Sequence, residues 1–250
     1  MTENTTNKVI GQKSLKPGPA KIREMFGLIT SRYDFFNHLL SFGRDIFWRT
    51  SLARKLKVLE NPGSFLDLAT GSGDQLIMAH KIWPQAQLTG LDFSRPMLDS
   101  AARKLNKTAV NLVLGDALEP PFADNSFDSV SISFGLRNVA DRLALYRQTL
   151  RVLKPGGRFL ILELFFDPRH LLAPLIRFHI TKMNPWIAGR MFNAPTEAYQ
   201  YLGASIVRFP HPAVILGELE ECGYKGLGYA AYTFSTAMIV WGHKPGHDIN

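Results

Sequence analysis

The chain has 250 residues, 46% hydrophobic and 20% charged, which suits one globular unit with a full core and excludes both a disordered protein and a small disulfide-stapled one. Its single cysteine, Cys222, excludes an intrachain disulfide, and 29 Lys and Arg against 21 Asp and Glu give a net charge of +8 and a pI near 9.6, compatible with nucleic acid, an anionic membrane surface or plain solubility. No run approaches the roughly 18 apolar residues of a membrane span, and the opening MTENTTNKVIGQKSLKPG is too polar for a secretory signal, so the cytoplasm is the expected compartment.

Residues 1–18 read as a disordered tail running into Pro17-Gly18-Pro19. From Ala20 to Val58 apolar residues recur at helical spacing: Ile22, Met25, Phe26 and Ile29, then Phe35, Leu39 and Leu40, then Ile46, Phe47 and Leu52. That predicts two or three short helices before the sheet. Among them YDFFNHLLSFGRDIFWR (Tyr33 to Arg49) sets polar groups between aromatics, and its plain structural reading is a helical cap with Tyr33 and Trp48 half-buried.

The rest of the chain is organised around the stretch FLDLATGSGDQL (Phe65 to Leu76). A short apolar run carrying Asp67 reads as a buried strand, Thr70-Gly71-Ser72-Gly73 breaks it, and a helix begins in which Asp74 can cap, Leu76, Ala79 and Trp83 share a face, and Pro84 stops the run. Strand, glycine turn and helix make a cofactor seat, because glycines admit a ligand close to the backbone and free helix N–H groups point at it. A dinucleotide fingerprint would need a third glycine where Leu76 stands, and Asp67 would repel a pyrophosphate. The cationic methionine end of S-adenosylmethionine (SAM) tolerates such an acid.

Leu88 to Asp92 reads as a second strand ending in an acid about 19 residues beyond Gly73, placed to accept ribose hydroxyls. Ser94 and Pro96 open a helix with Met97, Leu98, Ala101 and Leu105 inward. Val110 to Leu114 and Gly115-Asp116-Ala117 repeat the pattern, with Asp116 placed for an adenine amino group. Three strand-end acids at βα spacing favour SAM. Asp128 to Phe134 is a fourth strand, after which Ser133, Arg137 and Asn138 fall in the ligand crevice. Asp141 caps a helix ended by Lys154-Pro155-Gly156-Gly157, and Arg158 to Phe165 is a fifth strand. A non-sheet insertion spans Asp167 to Phe209, a helix Leu216 to Cys222, and strand material Gly228 to Trp241. The histidines are scattered without cysteine partners, so no metal site is expected.

IREMFGLITSRYDFFNHLLSFGRDIFWR, LDLATGSGD, GLDFSRPML, PFADNSFDSVSISFGLRNVAD, RVLKPGGRFLILEL and AYQYLGASIVRFP together resemble the UbiE/MenG-type C-methyltransferases of ubiquinone and menaquinone biosynthesis, within class I SAM-dependent methyltransferases. The GSGD turn is widely shared; SFGLRNVAD, the YD-x-x-N opening and AYQYLGASI are specific. The resemblance implies a Rossmann-like α/β fold: a mostly parallel sheet with an antiparallel last strand, an N-terminal helical cap and an inserted helical lid. It implies a tail over 1–18 and one methyltransferase domain over 19–244, made of a cap (19–58), a cofactor core (59–166), a lid (167–210) and C-terminal helix and strands (211–244). It further implies methyl transfer from SAM to a ring carbon of a polyprenyl quinol: a demethylmenaquinol, a methoxy-polyprenyl-benzoquinol, or both. SAM contacts carry over to Ser72, Asp92, Asp116, Ala117 and Ser133, beside Asp67, Gly71 and Gly73 of the turn; substrate-side, catalytic groups carry over to Tyr33, Asp34 and Arg137. The chain departs from the family pattern at Gln75 and Ser235.

Two rival readings are an enzyme acting on another small molecule or RNA, and a non-catalytic quinone-binding subunit on a SAM fold. Against nucleic acid, Cys222 lies in the C-terminal helix rather than beside a methyl donor, and Phe134-Gly135-Leu136-Arg137 stands where adenine-amine enzymes carry a Pro-Pro-aromatic corner. Against the binding subunit, the turn and all three acids are intact. The expected partners are the quinol and, through the acid-free, cationic and apolar stretch Pro168 to Phe192, a membrane surface bound peripherally from the cytoplasmic side; a homodimer is compatible with this reading.

Overall fold

The computed structural model describes residues 38, 41–56, 63–192 and 196–246. The expected tail, the helices before residue 38, Tyr33 and Asp34 lie outside the described residues. Five strands, β1 (Ser64–Leu68), β2 (Gln87–Asp92), β3 (Val110–Leu114), β4 (Phe127–Ser133) and β5 (Leu153–Leu164), are joined in sequence to β6 (Lys225–Tyr232) and β7 (Ala237–His243). Their spatial order is β3-β2-β1-β4-β5-β7-β6, with β1 to β5 parallel and β7 antiparallel to both neighbours. The mostly parallel sheet with an antiparallel last strand is therefore as expected. The order reverses between β1 and β4, which opens a crevice at their carboxyl ends.

Helices α1 (Arg44–Lys55), α2 (Asp74–Ile82) and α3 (Arg95–Lys104) cover one sheet face and α4 (Arg142–Val152) the other. An insertion of α5 (Ala173–Phe178), a π-helical turn (His179–Met183), α6 (Asn184–Phe192) and α7 (Thr196–Arg208) precedes α8 (Pro212–Glu221), which packs beside α4. Alternation along the strands sorts the side chains. Val130 and Ile132 of β4 enter the core of α4 and α8, while Ser129 and Ser131 face the opposite way, fully buried. Burial without partners would be costly, and both serines have them: Ser129 Oγ donates to Leu56 O at 3.1 Å and Ser131 Oγ to Asp67 Oδ1 at 2.6 Å.

Four local expectations are corrected. Lys154-Pro155-Gly156-Gly157 lies inside β5 rather than before it: Leu153 pairs with Phe127 and Arg158 with Ser129, so the extra residues bulge from the ladder, with Gly156 at φ +76°. Helix α8 starts at Pro212, four residues earlier than its apolar pattern suggests, because His211 Nδ1 accepts from Ala213 N–H and Pro212 fits the first turn. Asp74 does not cap α2; Gly73 holds that position at φ +84°, and Asp74 sits one residue in, meeting Lys104 Nζ at 2.6 Å. Ile46 and Phe47 are exposed, whereas Asp45, Trp48 and Arg49 are buried. Helix α1 turns polar residues inward because they have partners there, Ser41 Oγ for Asp45, Thr233 Oγ1 for Trp48 and the Phe134 ring for Arg49, so hydrophobicity ranks its faces wrongly.

Candidate active site

The carboxyl ends of β1 to β4 surround one cleft. At its floor Asp67 is buried, accepting from Thr70 Oγ1 at 2.8 Å and from Ser131 Oγ at 2.6 Å. Burial pushes its carboxyl up to about 6, against the lowering effect of both hydroxyls and of Arg49. A cationic ligand in the cleft would offset that burial cost.

The glycine turn splits its duties. Gly71 takes φ +56°, and a Cβ built on it would meet nothing within 4 Å, so its backbone faces open cleft. Gly73 does not line the cleft; a Cβ there would fall 2.9 Å from Leu105 Cδ1 and 3.1 Å from Ala101 Cβ, so this glycine seats the turn on α3 instead. The other seven expected cofactor positions, Asp67, Gly71, Ser72, Asp92, Asp116, Ala117 and Ser133, all line the cleft.

Asp92 accepts the Gly71 N–H on Oδ2 and the Ser94 N–H on Oδ1, both at 2.8 Å. A carboxylate offers about four acceptor sites, so a vicinal diol can still be held on the outer two. Burial raises its carboxyl and the two N–H groups draw it back. Asp116 Oδ1 accepts from Leu118 N–H at 2.9 Å, which fixes the acid at the mouth. Ser72 Oγ accepts from Lys104 Nζ at 3.0 Å. Ser133 Oγ donates to Gln75 Oε1 and Gln75 Nε2 donates to Arg49 O, each at 3.4 Å. The departure at Gln75 thus ties the cleft wall to α1.

A second cavity of 620 Å³ lies between α1, the insertion and the β6–β7 turn. It is mostly apolar, walled by residues such as Trp48, Leu175, Ile180 and Ile206, and it shares one lining residue, Phe134, with the cleft. Phe134 holds φ +58°, with the Arg49 guanidinium 4.9 Å from its ring centroid and Trp48 edge-on at 6.2 Å. Arg137 lines this chamber and not the cleft. Its guanidinium pairs with the fully buried Glu163, which also accepts from the Arg137 and Leu164 backbone N–H groups at 3.1 and 2.9 Å. Sequence reasoning missed Phe134, Arg49, Asp45 and Glu163. Only Glu163 left a signal, as a lone acid in the apolar run LILEL. Among the described residues no group of His, Cys, Asp or Glu could hold a metal.

Four carboxylates, Asp67, Asp74, Asp92 and Asp116, thus line a cleft beside a larger, mostly apolar chamber. The profile of the ubiE/COQ5 methyltransferase family matches residues 14–244. The chain belongs to the ubiE/COQ5 methyltransferase family. It is 39% identical over 230 residues to the ubiquinone/menaquinone biosynthesis C-methyltransferase UbiE of Geotalea daltonii, covering 90% of this chain and 96% of that one. It is 38% identical over 223 residues to the demethylmenaquinone methyltransferase of Thermus thermophilus, covering 88% and 100%. Among solved structures, human N-acetylserotonin methyltransferase in complex with SAM superposes with a TM-score of 0.63 at 17% identity, over 92% of this chain and 60% of that one. A Thermotoga maritima SAM-dependent methyltransferase gives 0.62 at 15%, over 89% and 99%. These two likenesses speak for the fold alone.

Proposed function

We propose that this family member methylates a ring carbon of a polyprenyl quinol with SAM, in menaquinone or ubiquinone biosynthesis. It is a SAM-dependent C-methyltransferase. The observation that supports the substrate reading is the mostly apolar 620 Å³ chamber that shares the wall residue Phe134 with the cofactor cleft and has Arg137 in its lining. Menaquinone occurs in the names of both relatives above, so demethylmenaquinol is the acceptor to test first.

The cleft suits SAM by the chemistry of its donors: Asp67 for the cationic end, Asp92 for the ribose diol, Asp116 and Ala117 for adenine, Ser72 and Ser133 at the walls, and Gly71 for close approach. When bound, SAM supplies an electrophilic methyl group. A quinol carbon attacks it only as the ring hydroxyl ionises, and a phenol pKa near ~10 makes the phenolate cost about 4 kcal/mol at pH 7. Arg137 stabilises that oxyanion and cannot itself be a base, since guanidinium stays protonated. Glu163 holds the guanidinium in place. Holding the ring carbon in line contributes roughly 7 to 11 kcal/mol. Tyr33 and Asp34 are proposed on the substrate side from the resemblance.

The insertion is proposed as a lid at a membrane surface. No helix among the described residues is long and apolar enough to cross a membrane. The chamber wall includes Leu172, Leu175, Phe178, Phe42 and Phe234, which are also exposed, so an apolar rim surrounds the opening; Leu171 at 91% and Trp186 at 64% exposure extend it. Arg177, Lys182 and Arg190 are exposed among them. Each CH2 of a prenyl tail costs about 0.8 kcal/mol to bring into water, which favours a chamber opening against lipid.

The test is complementation. A host lacking its own quinone C-methyltransferase, given this gene, should accumulate methylated menaquinone by mass spectrometry, and an Asp92→Ala copy should not. Unchanged demethylated quinones with a well-expressed protein would overturn the reading.

A further inference from the structure

Arg49 is a buried cation in the wall of the cofactor cleft. Helix α1 turns it inward to 8% exposure, and among the described residues that line the cleft it is the only Lys, Arg or His. A guanidinium is costly to bury unless its N–H groups find acceptors. Here Nε is buried with no hydrogen-bond partner among the described residues, and Asp45 Oδ2, one turn back along α1, stands 4.0 Å from it, beyond hydrogen-bond reach. The residue is nevertheless held in place. Its guanidinium carbon lies 4.9 Å from the Phe134 ring centroid, and its backbone carbonyl accepts from Gln75 Nε2 of α2 at 3.4 Å.

Its charge is felt at two of the cleft's acids. Burial raises the carboxyl of Asp67 on the floor, and Arg49 lowers it after the Ser131 and Thr70 hydroxyls. Burial would also raise Asp74 at the start of α2, but Arg49, ahead of Lys104 and His38, holds it below its ordinary value. Asp67 is the acid assigned above to the cationic end of SAM. That end is a zwitterion: beside the sulfonium and the ammonium it carries a carboxylate. Four carboxylates already line the cleft, so a fifth brought in by the ligand is repelled unless a cation meets it.

We propose that the Arg49 guanidinium binds the methionine carboxylate of SAM, so that both poles of the amino-acid end meet opposite charge, the carboxylate on Arg49 and the cationic groups on Asp67. The inference rests on the SAM reading of the cleft and is independent of the quinol. A guanidinium presents its N–H groups as a planar fork that matches a carboxylate, and a pair made in a buried wall is screened little by salt. The assignment also makes Arg49 a specificity residue. Decarboxylated SAM keeps the sulfonium and the ammonium and lacks only the carboxylate. With its higher positive charge it would suit four carboxylates better than SAM does if Arg49 stood aside, so Arg49 is what selects the intact amino acid.

The alternative is that Arg49 only braces Phe134 and offsets the buried acids. Calorimetry with SAM and with decarboxylated SAM separates the two. The unaltered protein should bind SAM the more tightly. Arg49→Gln should weaken SAM about tenfold or more while decarboxylated SAM stays within a few-fold or gains, so that the preference is lost or reversed. Arg49→Lys keeps the charge without the fork and should fall between them. Equal weakening of both ligands would make Arg49 a brace, and a preference for SAM that survives in Arg49→Gln would give the carboxylate to other donors; either result overturns the proposal. Should Arg49→Gln fail to fold, Arg49→Lys decides in the same way, by a loss confined to SAM or shared by both ligands. No preference for SAM in the unaltered protein would overturn the proposal without any variant, and an unaltered protein that binds neither ligand would overturn the SAM reading itself.

Discussion

Asp67 is the residue whose environment makes the sharpest statement about pH. Burial raises its carboxyl from an ordinary 3.8 to about 6 in the folded chain, so between those values the folded state holds a proton that the unfolded state has released. Stability therefore falls as pH rises through that window, by roughly 3 kcal/mol once both limits are passed. Asp67→Asn should melt higher than the unaltered protein at pH 7, with the gap closing toward pH 4. A cation in the cleft favours the ionised form, so SAM affinity should rise between pH 5 and pH 7 in the unaltered protein and stay flat in Asp67→Asn; a flat titration in both would place the cationic end elsewhere. Arg137→Lys keeps the charge but loses the planar fork on Glu163, so turnover should fall while SAM affinity stays within a few-fold. Collapse of SAM binding instead would assign Arg137 to the cleft. Asp67, Asp92 and Asp116 were legible because an acid ending an apolar run is placed by the strand itself. Phe134, Arg49 and Asp45 were not, since their roles arise where separate elements meet.

Elements were legible wherever period and punctuation agreed, as in β3 and the Asp141 cap, whose side chain accepts from Ala144 N–H at 2.9 Å. They were not where a side-chain cap or a bulge overruled the pattern, as at Pro212 and in β5. Two glycine positions test the packing of elements. A Cβ on Gly203 of α7 would come 2.7 Å from Ile180 O in the π-helical turn, so Gly203→Ala must push the helices apart. We expect a loss of about 1 to 3 kcal/mol in denaturant unfolding and a raised KM for quinol, with SAM affinity unchanged. Equal damage to SAM binding would mean that the insertion and the cleft are one packing unit. In the β6–β7 turn, Thr233, Phe234 and Ser235 take φ +48°, +53° and +59° in succession. The departure at Ser235 thus carries backbone strain that glycine would relieve, and Ser235→Gly should stabilise by about 1 kcal/mol or less, after the entropy glycine adds to the unfolded chain. A lower melting temperature would refute that account of the turn.

At the scale of the whole molecule, one sheet end serves two cavities, a cleft lined by four carboxylates and a chamber lined mostly by apolar side chains, which share Phe134 in their walls. The first was readable from three strand-end acids; the second is assembled from α1, the insertion and the β6–β7 turn, which no local pattern links. The proposed membrane contact belongs to this scale. Reversing Arg177 and Lys182 to Glu removes two exposed cations worth ~1 kcal/mol each near an anionic leaflet, so liposome binding should weaken more than tenfold. Activity on long-chain quinol should fall with it and activity on a short-chain analogue in solution should not; equal losses would leave the insertion as a lid alone. The central claim, that the two cavities bring a SAM methyl to a quinol carbon, is tested most directly by incubating the purified protein with methyl-deuterated SAM and short-chain demethylmenaquinol, then fragmenting the product. The account predicts a deuterated methyl on the ring carbon; label on a ring oxygen, or SAM bound without any label transferred, would contradict it.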